Sequence, residues 1–72
     1  MNMRTIDKAA AKVRRALKKQ KVDPRGRVWI RRTDYFCELC VDLEYLDADE
    51  RWAVKEVIGQ IDECGEFTWD VM

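Results

Sequence analysis

The chain has no histidine, no serine and a single proline among its 72 residues, with only three glycines and no long apolar run. Each absence excludes something. Without histidine the commonest proton shuttle at neutral pH is missing, and without serine there is no serine nucleophile. Three scattered glycines cannot build a Gly-rich phosphate loop. Carboxylate pairs such as Asp42 with Glu44, or Asp62 with Glu63, are of the type used for acid and base work. On an alternating strand or an exposed helix face such pairs are far more often solvated surface, so neither an enzyme nor a cofactor is expected. Nowhere do about eighteen apolar residues follow one another, and Met1 to Asp7 lack a signal-type apolar core, so no membrane partner is expected. Three cysteines, Cys37, Cys40 and Cys64, form an odd set without a secretory signal, which points to reduced thiols and the cytoplasm.

What is present is charge, strongly segregated. Residues 1–33 hold twelve Lys or Arg against Asp7 and Asp23, a balance of +10; residues 34–72 hold Arg51 and Lys55 against twelve Asp or Glu, a balance of −10. The net charge of zero conceals this polarity. At 47% apolar and 39% charged the chain is too hydrophobic for a disordered tail, and its length allows one domain, residues 1–72, with a thin core.

Thr5 is placed to cap a helix, and Ile6, Ala10, Val13 and Leu17 follow at spacings of four, three and four, predicting a helix over about 6–21. Lys8, Lys12, Arg15 and Lys19 line one flank of the stripe, and Arg14, Lys18 and Lys21 extend it. Asp23-Pro24-Arg25-Gly26 ends the helix in a turn. Alternation predicts strands over about 27–32 and 35–45; a turn at Thr33-Asp34 would pair Ile30 with Cys37, Val28 with Leu39, Trp29 with Glu38 and Arg31 with Phe36. Tyr35, Cys37, Leu39, Val41, Leu43 and Tyr45 would share the buried face, with Glu38, Cys40, Asp42 and Glu44 on the open one. Asp47 and Glu50 form a capping-box pair opening a helix over about 48–64, with Ala53, Val54, Val57, Ile58, Ile61 and Cys64 buried and Gly65 as its cap. A last strand covers about 66–71. The expected fold is a small α+β domain of order α-β-β-α-β, a three-stranded, mainly antiparallel sheet with both helices on one face.

Cys37 and Cys40 have C-x-x-C spacing, but on a strand positions three apart face opposite ways, and no histidine completes a zinc site, so no metal is expected. The function expected from charge is binding. On the first reading the acidic half, with Glu38, Asp42, Glu44 and Glu56 and the aromatic anchors Trp29 and Trp52, meets a protein partner with a basic site. Trp52 lies about 100° from Ala53 on the helical wheel, at the rim of the buried stripe. On the alternative reading Lys8, Lys12, Arg14, Arg15, Lys18, Lys19, Arg25, Arg27, Arg31 and Arg32 neutralise nucleic-acid phosphates, with Trp29 as a stacking face. Against the alternative stands internal neutralisation of these cations by the nearly equal number of acids, which the sequence favours slightly. Pairing of opposite halves between copies would give a homo-oligomer.

The element order partly resembles the ferredoxin-like βαββαβ pattern without its first strand, and a shortened type II KH domain, whose GxxG loop this chain lacks. In size and composition the chain is similar to small phage or plasmid proteins that block a host or defence complex, such as anti-CRISPR proteins. That resemblance implies an inhibitor or accessory factor.

Overall fold

A computed structural model describes residues 5–62 and 67–72. Helix α1 spans Thr5–Lys19 and buries Ala9, Ala10, Val13, Ala16 and Leu17. The three alanines leave room for neighbours to approach its backbone on either side of Val13 and Leu17. Thr5 is the first helical residue, and any cap before it lies outside the described residues.

The helix stops two residues earlier than the periodicity predicts. Lys21 adopts φ 61°, its N–H donates to the Lys18 carbonyl at 2.9 Å, and the Val22 N–H donates to Leu17 at 3.0 Å. That bond pattern is a left-handed C-terminal cap, with Val22 turned back onto the core beside Leu17. Lysine occupies the position that glycine usually takes, so no residue type announces the stop. Gly26, at φ 75°, turns the chain onward where Arg27 donates to the Pro24 carbonyl.

Strands β1 (Val28–Arg32) and β2 (Cys37–Val41) pair antiparallel, and β3 (Thr68–Val71) pairs parallel to β2, giving a mixed sheet of order β1-β2-β3. The register of the hairpin is shifted by two from the expected one: Ile30 faces Leu39, Val28 faces Val41, Trp29 faces Cys40 and Arg31 faces Glu38. Thr33 causes the shift. Its hydroxyl accepts the Tyr35 and Phe36 N–H groups and donates to the Phe36 carbonyl, closing a four-residue loop in place of a two-residue turn. A slip of two keeps every side chain on its face. Val28, Ile30, Leu39, Val41, Trp69 and Val71 therefore face the helices, while Trp29, Arg31, Glu38, Cys40, Thr68 and Asp70 share the open face.

β2 is shorter than predicted, and Tyr35 and Tyr45 are exposed at its ends instead of buried. The Asp42 carboxylate accepts the Glu44 N–H and Arg27 donates to the carbonyls of Asp42 and Glu44, bending the chain out of the ladder. Tyr45 then turns it again at φ 67°.

Helix α2 spans Ala48–Ile61 and opens on the expected capping box: Asp47 accepts the Glu50 N–H at 2.8 Å and Glu50 accepts the Asp47 N–H at 3.1 Å. Val54 is fully buried, and Ala53, Val57, Ile58 and Ile61 are half-buried. Cys64 and the Gly65 cap lie outside the described residues. Asp62 closes the helix and ties it to β3, its carboxylate accepting the Phe67 N–H and the Trp69 indole N–H at 2.7 Å. No helix among the described residues is long and apolar enough to cross a membrane.

Candidate functional site

The sequence of α1 divides its surface. Ala9, Ala10, Val13, Ala16 and Leu17 point inward, and Lys8, Lys12, Arg14, Arg15, Lys18 and Lys19 are all exposed. Arg14 leans toward β1, where its guanidinium donates to the Val28 carbonyl at 3.4 Å. The opposite flank lies against α2, and there Lys12, Arg15 and Lys19 form one wall of an open groove of about 330 Å³. Val57, Gln60 and Ile61 form the other wall, with Ala16 between the helices. A smaller hollow of about 120 Å³, lined by Thr5, Lys8, Ala9, Lys12, Ile61 and Phe67, continues the same seam through Lys12 and Ile61. Lys8, Lys12, Arg15 and Lys19 thus stand in a row along the two hollows, and no described carboxylate lines either one.

Among the described residues, no carboxylate makes an ion pair with Lys8, Lys12, Arg14, Arg15, Lys18 or Lys19. Among the described residues, cations of the basic half pair with side-chain acids of the other half on the sheet, where Arg31 pairs with Glu38 and lies 3.7 Å from Asp70. Arg25 pairs within its own turn with Asp23, whose carboxyl is held below its usual range by hydrogen bonds from Arg25. Arg27 is engaged with backbone carbonyls.

The residues predicted for nucleic-acid contact therefore do not form one surface. Lys8, Lys12, Arg15, Lys18 and Lys19 stay together, whereas Trp29 and Arg31 lie on the open face, across the sheet from α1. The acidic set is dispersed as well. Glu38, expected as an exposed acid, is 8% exposed because Arg31 on one side and the central strand position enclose it. Asp42 holds its own turn. Glu44, Glu56 and Trp52 are exposed, Trp52 at 66%. Asp62 is a structural latch, not a surface acid.

Cys37 and Cys40 diverge as expected, but their burial is the reverse of the expected one: Cys37, just past the hairpin loop, is exposed, and Cys40, in the central strand, is buried. Burial pushes the Cys40 thiol up, and the neighbouring Glu38, 3.6 Å from the sulfur, adds to this, so the group stays protonated at neutral pH. The register of β3 brings Glu38, Cys40 and Asp70 together, their ligand-type atoms within 4.8 Å, a grouping invisible without that register. Arg31 already supplies a cation to both of its carboxylates.

Sequence reasoning found the cationic row but not its opposite wall. Val57, Gln60 and Ile61 stand three and four apart, so they share one face of α2, yet only the packing of α2 against α1 makes that face a groove. No family model matches the chain, and comparison with curated proteins and with solved structures gives no match either.

Proposed function

We propose that this domain is a non-enzymatic binding protein that docks on the phosphate backbone of nucleic acid through the cationic groove between α1 and α2. The observation that carries the reading is the row Lys8, Lys12, Arg15 and Lys19, exposed, without a described carboxylate partner, along a seam no described acid lines. Four cations on one rigid helix suit an extended polyanion, and each phosphate they neutralise releases counterions. Gln60 on the far wall offers neutral hydrogen-bond donors to the same backbone. The net charge of zero does not oppose this, because no described carboxylate lines the groove. Non-enzymatic action is supported by the protonated Cys40 thiol and by carboxylates committed to Arg31, to turns and to the α2 latch. The reduced thiols suit a cytoplasmic setting.

A second reading rests on Trp52. A tryptophan 66% exposed on α2 is a candidate anchor for a protein partner, with the exposed Glu44 and Glu56 as acidic contacts for a basic site. This reading retains the idea of an inhibitor or accessory factor.

The test is a fluorescence-anisotropy titration of labelled nucleic acid with the native chain, with the triple variant Lys12→Gln, Arg15→Gln and Lys19→Gln, and with Trp52→Ala. Loss of binding in the triple variant with retention in Trp52→Ala supports the groove. Absence of binding by the native chain at low salt overturns it and leaves the Trp52 surface to be pursued.

A further inference from the structure

Resting on the groove reading, we infer that the nucleic acid is double-stranded and is bound through its backbone, without regard to sequence. Three features of the molecule carry this. The first is spacing. Lys8 and Lys19, the ends of the row, are eleven residue steps apart on the helix, about 16 Å at 1.5 Å per residue, which matches the axial rise of about five phosphates along one strand of a duplex. A duplex presents that row already ordered, whereas a single strand would have to be straightened against the helix at an entropic cost.

The second is the position of the aromatic rings. Single-strand binders combine a cationic track with side chains on which bases stack. Trp29 lies on the open sheet face, on the other side of the sheet from α1. Trp52 is about 140° round the α2 wheel from Val57 and about 180° from Ile61, stands about two turns along the helix from Gln60, and does not line the groove. Phe67 reaches the end of the smaller hollow, but it is half-buried and packed edge to face against Trp69, ring centres 6.2 Å apart. The track therefore has no free stacking face among the described residues.

The third is the chemistry between the cations. Base edges are read by bidentate Asn, Gln and Arg pairs. Lys8, Lys12 and Lys19 are point charges, neither Asn nor Gln stands on that outer face of α1, and Arg15 and Gln60 are the two described side chains of the groove able to form such a pair. A surface of this composition positions a backbone and reads little else.

The experiment uses labelled DNA of about two helical turns, as a duplex and as the corresponding single strand, titrated with the full chain at two salt concentrations while tryptophan emission is followed. The expected result is a duplex preference of about tenfold or more, equal affinity for duplexes of unrelated sequence, and unchanged tryptophan emission. With four cations at about −0.9 each, duplex affinity should fall about a hundredfold between 50 and 200 mM salt. Single-strand binding as tight as duplex binding, or quenching that disappears in Trp29→Leu, would overturn the duplex inference while leaving the groove reading intact. Strong preference among duplex sequences would overturn its indifference to sequence. Binding to neither form at low salt removes both.

Discussion

Arg31 of β1 and Glu38 of β2 stand opposite each other in the antiparallel ladder, and their side chains pair on the open sheet face. This is the point where the basic half of the chain is joined to the acidic half. Glu38 is nearly buried while Arg31 is half exposed, so the carboxylate depends on the arginine more than the reverse. Replacing Arg31 by Met leaves an enclosed carboxylate without its cation and should cost about 1–3 kcal/mol, the exposure of Arg31 keeping it below the full buried-pair penalty. The double variant Arg31→Met with Glu38→Met should recover most of that loss. Urea unfolding of the three variants checks this, and an additive double variant would contradict it.

Lys21 holds a left-handed conformation at the end of α1. Lys21→Gly removes the clash of its Cβ and should raise stability by about 0.5–1 kcal/mol, which in a domain of this size is about 2–8 °C in Tm. A lower Tm would mean that the Lys21 side chain contributes more than its backbone costs.

Asp62 accepts the indole N–H of Trp69 as well as the Phe67 N–H, fastening α2 to β3. Asp62→Ala should destabilise by about 1–3 kcal/mol and alter Trp69 emission, and Asp62→Asn, which keeps an acceptor oxygen, should lose less. Equal losses in the two variants would assign the effect to charge instead of to the hydrogen bonds.

The two described thiols should separate by reactivity. Cys37 is exposed and Cys40 is buried with its thiol pushed up by burial. Alkylation of the folded protein at neutral pH, read by peptide mapping, should modify Cys37 and spare Cys40 until denaturant is added. The raised thiol has a second consequence. Because the folded state holds this proton more tightly than the unfolded state, its contribution is intact below the ordinary thiol range and stability declines as pH rises through it.

Much of this fold is legible in the sequence because its signals are local. The α1 stripe, the Asp47–Glu50 capping box and the strand alternation each need only a few neighbouring residues, and the order α-β-β-α-β follows from them. What is not legible depends on contacts or on residues in unusual roles. Lys21 and Tyr45 take positive φ without being glycine, and Thr33 closes a loop with its hydroxyl, so the ends of α1 and β2 and the hairpin register all shift. The cationic row on α1 was visible, but whether acids would cover it depended on how α2 packs beside it. Val57, Gln60 and Ile61 face the row, and no described acidic side chain lines the groove. Likewise the separation of Trp29 from the α1 cations is set by sheet pairing, not by distance along the chain.

On the proposed function, a polyanion lies along α1 and α2. Amide chemical-shift mapping of the labelled protein with a short duplex tests it most directly. The expected shifts concentrate on residues 8–19 and on Val57, Gln60 and Ile61, with Trp29, Glu38 and Cys40 on the open face unmoved. Shifts centred on the open face or around Trp52, or none at low salt, would contradict it.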